Sequence, residues 1–244
     1  MPSHADPDGS TLAMESPEVG PAVLFDLDGT LVDSVYYHVI AWHRALARAG
    51  IELSVWRIHR RIGMSGGLFV QALARELGHR LTPAQIRSIQ DDHDRGYAAL
   101  VGQVRPLPGA RELLATLTQL SVPWAIATSG RRATATATLG ALEIPPGVPV
   151  VTRDDVTRAK PDPDLFLAAA GRLGVPVERC VVVGDSVWDL LAAQRARALG
   201  VGILAGGYGQ DELERAGAYR VYDDPRDLLH HLDELGIRVG EGDG

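Results

Sequence analysis

Two aspartates stand two positions apart in the run Asp26-Leu27-Asp28-Gly29-Thr30, directly after a short apolar stretch. Asp26 and Asp28 point the same way if strand geometry continues through the run, because side chains alternate along a strand. Paired carboxylates of this kind can serve as a nucleophile and a general acid–base. The alternative is an Asp-Gly turn or a helix N-cap, which strand ends commonly carry.

Three later segments also place polar residues beside apolar runs: Thr128-Ser129-Gly130, Lys160-Pro161-Asp162-Pro163, and Gly184-Asp185-Ser186 followed by Asp189. The N–H groups at a helix N-terminus bind anions, and a lysine compensates developing charge. The alternatives are a helix N-cap at Thr128, a solvent-facing Lys160, and an N-cap with a first-turn acid at Asp185 and Asp189.

Short apolar segments alternate with helical ones along most of the chain. Strands are predicted over 21–26, 123–128, 179–184 and 200–204, with a weaker one over 148–151, and helices over 110–120, 131–142, 163–173 and 187–199. This alternation predicts a mainly parallel sheet covered by helices on both faces. Ligands bind such sheets beyond the carboxyl ends of the strands.

The segment from Val35 to Val104 breaks the alternation, because it reads as helices only, over 35–49, 67–77 and 83–100. We therefore predict an α/β core over 21–34 and 106–237 and an inserted helical cap over 35–105. The ends are predicted to be a disordered N-terminal tail over 1–20 and a frayed C-terminal tail over 238–244.

Composition excludes several classes of protein. The net charge of −7, from 24 basic and 31 acidic residues, offers no basic surface for nucleic acid. No apolar stretch reaches the roughly 20 residues of a membrane helix, and the N-terminus lacks the features of a secretory signal. The single cysteine, Cys180, suits a reducing cytoplasm. Nothing in the sequence argues for or against a dimer.

The four motifs, taken in this order over Val23 to about Leu229, resemble those of the haloacid-dehalogenase-like hydrolase superfamily. The resemblance implies a Rossmann-like parallel-sheet core with an inserted α-helical cap. It also implies a Mg²⁺-dependent phosphatase that acts on a small phosphorylated metabolite. The second aspartate, Asp28, distinguishes this chain from the dehalogenases, in which the resemblance implies no acid at this position.

The resemblance assigns a role to each motif residue. Asp26 becomes the nucleophile that forms an aspartyl-phosphate, and Asp28 becomes the general acid and base. Lys160 pairs with the nucleophile and the phosphoryl group. Thr128, with the main chain around Ser129 and Gly130, holds the phosphoryl oxygens. The implied Mg²⁺ ligands are the Asp26 carboxylate, the Asp28 main-chain carbonyl, Asp185, and Asp189 as a further ligand or an orienting acid.

The cap would close over this site, exclude water and contact the leaving group. His38 and Trp42 are candidates for that contact, although aromatic residues at such spacing commonly belong to a helical core. Arg61 and the loop Gly63-Met64-Ser65-Gly66-Gly67 are further candidates, and Arg61 can equally be a solvated surface residue. The run Asp91-Asp92-His93-Asp94 is predicted to form a solvated helix face.

Three other functions stay open. A sugar phosphomutase is similar through Tyr37-His38 and Trp42, but the mutases carry a different run after the second aspartate and an arginine where this chain has Gly66. A serine esterase matches the Gly63-x-Ser65-x-Gly67 pattern, but that motif needs a buried strand before it, and residues 54–62 are strongly charged. A non-catalytic binding module is the third.

The chain lacks a phosphate-binding Gly-Lys loop and a dinucleotide-binding glycine motif, so kinase and hydride-transfer chemistry lose their usual support.

Overall fold

The computed structural model describes residues 20–78 and 80–238, and its centre is a six-stranded parallel sheet. The strands run in the order β3-β2-β1-β4-β5-β6. Their bounds are β1 Ala22–Phe25, β2 Trp124–Ala127, β3 Val150–Val151, β4 Cys180–Gly184, β5 Leu199–Ile203 and β6 Ala218–Tyr222. The predicted Rossmann-like α/β fold is confirmed.

Helices cover both faces of the sheet because the central strands are apolar on both sides. Along β1, Val23 and Phe25 pack into one hydrophobic cluster with Leu113 of helix α5 (Ala110–Gln119). Leu24 packs into another cluster with Phe166 of helix α7 (Asp164–Leu173). The helices of the core are α5 Ala110–Gln119, α6 Arg132–Leu139, α7 Asp164–Leu173, α8 Val187–Ala196, α9 Gln210–Arg215 and α10 Pro225–His230. This double covering is the arrangement expected for a parallel sheet.

Four helices lie between β1 and α5 and form a cluster with its own apolar interior. They are α1 Val35–Arg48, α2 Val55–His59, α3 Gly66–Glu76 and α4 Pro83–Ala98. Trp42, Ile58, Phe69 and Ile89 are among the buried residues of that interior. The predicted boundaries of the cap and the core remain a prediction.

Several elements differ from the sequence-based expectation. The edge strand β6 was not predicted, because exposed Tyr219 and Arg220 interrupt its apolar pattern. Helix α8 ends three residues before Leu199, since Arg197 adopts a left-handed φ of 65° and Leu199 begins β5. The short helices α2, α9 and α10 were also missed. The predictions for the two tails lie outside the described residues, except at Gly20 and Arg238.

No helix in the described part of the chain combines the length and the apolarity that crossing a bilayer requires.

Candidate active site

The motif residues meet at one edge of the sheet. Asp26 follows β1, Thr128 follows β2 and Asp185 follows β4, and these three strands are neighbours in the sheet. Since parallel strands all end at the same edge, residues distant in sequence are brought into one cluster.

Lys160 lies at the centre of this cluster, with none of its side chain exposed. Its Nζ donates to Oδ1 of Asp26 and lies 2.7 Å from Oδ1 of Asp189. The other oxygen of Asp189, Oδ2, accepts the backbone N–H and the hydroxyl of Ser186 at 3.1 and 2.5 Å. Asp189 therefore caps α8 with one oxygen and faces Lys160 with the other. The solvent-facing alternative for Lys160 is wrong.

The carboxylate of Asp185 occupies a space left by two glycines. A Cβ on Gly206 would lie 2.5 Å from Cγ of Asp185, and one on Gly29 would lie 2.5 Å from its Oδ2. Non-bonded atoms normally approach to about 3.5–4.0 Å, so neither position accepts a side chain without displacing Asp185. The hydroxyl of Thr30 donates to Oδ1 of Asp185 over 3.1 Å and orients the group.

Three buried carboxylates, those of Asp26, Asp185 and Asp189, offer oxygens within 4.8 Å of one another, and Lys160 neutralises one of the three negative charges. Burial raises the pKa of Asp26 to about 7 against the opposing charge of Lys160. Burial and the charges of Asp189 and Asp26 raise the pKa of Asp185 well above its usual range. Hard oxygen ligands with surplus negative charge suit Mg²⁺, so the donor set fits that ion.

Asp28 points away from this cluster towards α1. Its Oδ1 accepts the hydroxyl of Ser34 at 2.6 Å and lies 3.2 Å from Nε2 of His38. Burial alone would raise the pKa of Asp28, but the charge and hydrogen bond of His38, together with the Ser34 hydrogen bond, bring it below its ordinary value. The two neighbouring aspartates thus have different environments, with Asp26 beside a lysine and Asp28 beside a histidine.

A line of hydrogen bonds continues from Asp28 through two imidazoles. Nδ1 of His38 lies 3.0 Å from Nε2 of His93, and Nδ1 of His93 lies 2.9 Å from Oδ1 of Asp94. Burial lowers the pKa of His93 to about 4, so its ring is neutral at pH 7. A neutral ring that donates to Asp94 must accept from His38. A hydrogen bond between Nε2 of His38 and Oδ1 of Asp28 then requires a hydrogen on one of these two atoms.

The loop after β2 presents polar groups to the same space, and the hydroxyl of Thr128 lies 3.5 Å from Oδ2 of Asp28. The backbone N–H of Gly130 donates to Oγ1 of Thr128 over 3.0 Å, and the buried hydroxyl of Ser129 has no hydrogen-bond partner in the described structure. The first N–H of α6 is already satisfied, because Arg132 N donates to Asp154 over 2.9 Å. Simple capping of α6 therefore does not account for Thr128 and Ser129.

A chamber between the cap helices and this edge of the sheet encloses about 700 Å³ of empty space, its open mouth included. His38 and Trp42 line it, and Trp42 is also part of the buried interior of the cap. Arg61 also lines it, but its guanidinium donates to Glu76 and to the carbonyl of Arg57. Ser65 is buried at the start of α3, does not line the chamber in the described structure, and follows α2 and a turn instead of a strand. The esterase motif is therefore a chance match.

The environment of His93 differs from the one that the sequence predicts. His93 was expected on a solvated face, yet it is buried and stacks on Trp42 with ring centroids 3.9 Å apart. The spacing of the buried residues Ile86, Ile89, His93 and Tyr97 places His93 on the inner face of α4, and this periodicity could have revealed it. Asp91 and Asp94 also bind Arg131 of the core, at 2.9 and 3.0 Å.

A second set of contacts between cap and core involves His59, the last residue of α2, and Arg60, which follows it. The guanidinium of Arg60 binds Glu212 of α9, and the carbonyl of Arg60 accepts hydrogen bonds from Tyr208 at 2.8 Å and from Trp188 at 3.3 Å. Nε2 of His59 lies 2.8 Å from the carbonyl oxygen of Gly206. Cap and core are thus joined by two separate sets of contacts.

Comparison with known proteins agrees with this arrangement. A solved hydrolase from Pseudomonas syringae superposes with a TM-score of 0.86 and is 54% identical, covering 88% of this chain and 98% of that one. Hexitol phosphatase A of Escherichia coli K12 is 34% identical over 71% of this chain and 78% of its own length. Beta-phosphoglucomutase of Bacillus subtilis is 29% identical over 79% and 85%.

The family described as haloacid dehalogenase-like hydrolase matches residues 21–197, a span that begins at β1 and includes all four motifs. The chain belongs to the haloacid dehalogenase-like hydrolase family.

Proposed function

We propose that this phosphatase hydrolyses a small phosphomonoester through an aspartyl-phosphate on Asp26. The observation that carries the proposal is the different setting of the two aspartates. Asp26 is held by Lys160, whereas Oδ1 of Asp28 lies 3.2 Å from Nε2 of His38. A nucleophile must be ionised, and a general acid must have a proton to give.

In the first step an oxygen of Asp26 attacks phosphorus and the bond to the leaving oxygen breaks. Asp28, in contact with His38, gives a proton to that leaving oxygen. Thr128, Ser129 and the N–H groups beside them hold the phosphoryl oxygens. Lys160 lowers the pKa of Asp26 against the effect of burial and offsets the charge that develops on the phosphoryl group.

In the second step a water molecule attacks the phospho-enzyme. Asp28 accepts its proton, the bond between phosphorus and Asp26 breaks, and inorganic phosphate leaves. Bound Mg²⁺, held by Asp26, Asp185, Asp189 and the main-chain carbonyl of Asp28, would supply the positive charge that lets a dianionic phosphate approach a carboxylate.

A sugar phosphomutase is the second candidate, because a beta-phosphoglucomutase is among the relatives. Such an enzyme must hold a second phosphate in the chamber. The arginine that the mutases carry is Gly66 here, and a Cβ at that position would lie 3.0 Å from Trp42. Hydrolysis is therefore the better-supported reaction.

The test is phosphate release from a panel of small phosphomonoesters, with and without Mg²⁺, by the parent, Asp26→Asn and the control Asp33→Asn. Asp33 is an exposed carboxylate of the same loop. Loss of the nucleophile should lower kcat at least about 10³-fold, while Asp33→Asn retains activity.

The panel includes β-glucose 1-phosphate with detection of glucose 6-phosphate. Isomerisation without net phosphate release would favour the mutase. Activity that is indifferent to both Mg²⁺ and Asp26 would refute the proposed chemistry.

A further inference from the structure

The inner wall of the cap has one polar side chain without a partner, in the part of the chain that the structure describes. Gln90 of α4 lines the chamber and is half-buried, and no hydrogen bond occupies its carboxamide. It lies on the same helix face as His93, Asp94 and Tyr97, all of which have partners. A carboxamide both donates and accepts, which suits hydroxyl groups.

Gln90 lies close to Gly66, the first residue of α3. Its Nε2 lies 3.3 Å from the position that a Cβ on Gly66 would take, and Trp42 lies 3.0 Å from the same point. Gly66 therefore leaves room for both side chains at this end of the chamber. Across the chamber, Thr134 of α6 supplies a second uncharged polar side chain with no partner for its hydroxyl in the described structure.

Two of the three arginines that line the chamber are paired with carboxylates. Arg61 binds Glu76, and Arg131 binds both Asp91 and Asp94. An anionic leaving group would have to displace one of these carboxylates or bind Arg153 on the core side of the chamber, and it would also lie near the acids that surround Asp26. An uncharged leaving group meets neither obstacle.

We propose that Gln90 determines specificity by binding hydroxyl groups of an uncharged polyhydroxy leaving group, so that the substrate is a phosphate ester of a polyol or sugar with no second anionic group. This inference rests on the proposed phosphatase function and adds the class of its leaving group.

Arg153 is the residue that would bind the leaving group if that group were anionic. It lines the core side of the chamber, and no carboxylate pairs with it in the described structure. Its Nη1 donates to the carbonyl of Val156 at 2.6 Å, which turns that nitrogen towards its own loop. An enzyme selective for anionic leaving groups would depend on Arg153 instead of Gln90.

The experiment compares kcat/KM for glycerol 3-phosphate, for propyl phosphate, which lacks the two hydroxyls, and for the anionic 2-phosphoglycolate. The enzymes are the parent, Gln90→Met, Gln90→Glu, Arg153→Met and the control Gln71→Met. Met matches the length of Gln without its amide, and Glu keeps the shape but loses the donor. Gln71 is an exposed residue of α3 outside the chamber.

The parent should prefer glycerol 3-phosphate over propyl phosphate about fivefold, the factor expected for one net hydrogen bond of about 1 kcal/mol. Gln90→Met should lose that preference through a raised KM, with propyl phosphate turnover unchanged. Gln90→Glu should show an intermediate preference, and Gln71→Met should behave as the parent.

An unchanged preference in both Gln90 variants would overturn the inference. So would a parent that favours 2-phosphoglycolate and loses that selectivity in Arg153→Met. If no enzyme releases phosphate from any ester in an Asp26-dependent manner, the proposed function itself fails, which is a different result from active enzymes that ignore Gln90.

Discussion

Gly206→Ala is the sharpest test of the Asp185 position, because the change adds one methyl group without straining the backbone. Gly206 does not have a left-handed φ, so alanine can adopt its conformation. The new Cβ would lie 2.5 Å from Cγ and 2.6 Å from Cβ of Asp185. The substitution therefore acts on that carboxylate and not on the local chain.

The magnitude follows from these distances. The atom nearest to the new Cβ is Oδ2 of Asp185, with which it would overlap, so restoring an ordinary contact of about 3.5 Å requires this carboxylate to move by more than about 1 Å. A misplacement of that size costs about 10²-fold in rate, and disturbed metal sites lose about 10- to 100-fold in affinity. The added atoms should also cost about 1–3 kcal/mol of the free energy of unfolding.

The assay is a Mg²⁺ titration of kcat/KM on a generic phosphate ester, paired with thermal unfolding with and without Mg²⁺. Gly171→Ala is the matched control, since its Cβ would meet no atom within 4 Å and it lies in α7 away from the site. That control should keep full activity and gain about 0.5–1 kcal/mol of stability. Parental activity and Mg²⁺ response in Gly206→Ala would refute the role assigned to Asp185.

Three further predictions concern other parts of the molecule. Asp155→Asn should cost about 1–2 kcal/mol of unfolding free energy at pH 7, because the carboxylate binds arginines of α6 and α7 at 2.6 and 2.8 Å. Burial alone would raise the pKa of Asp155, but hydrogen bonds from Thr152 bring it below its ordinary value, so this difference should shrink in denaturant titrations as the pH falls below about 4. Arg60→Met should raise KM at most about fivefold in steady-state kinetics, because the ion pair of Arg60 with Glu212 is partly exposed and contributes little. A clear fall in the melting temperature with KM unchanged would instead indicate that Arg60 has a structural role. Burial raises the pKa of Cys180 to about 11, so a thiol reagent should label it only upon unfolding, and rapid labelling of the native protein would contradict that burial.

The core of the site could be predicted from the sequence because each motif is local. Asp26, Thr128 and Asp185 each follow an apolar run that forms a buried strand, and a parallel sheet brings such strand ends together. Lys160 could be predicted from its motif, but its complete burial between two carboxylates could not be read from a lysine beside a proline.

The cap was harder to predict because its chemistry depends on contacts between helices. The run Asp91-Asp92-His93-Asp94 is polar throughout, and only the packing of α4 on α1 turns His93 towards His38. Arg61 was expected to face the substrate, but a glutamate fifteen residues later binds its guanidinium.

The sequence by itself determined the fold class, the order of the motifs and the chemical type of the site, since these follow from patterns that span a few residues each. Only the tertiary structure decided which side chains are hydrogen-bonded to one another, which charges are paired, and where a missing side chain leaves space for another residue. Gly206 lies 21 residues after Asp185 with no motif of its own, yet the absence of its side chain makes room for that carboxylate. Such vacancies and pairings arise from packing between separate elements, so no local pattern encodes them.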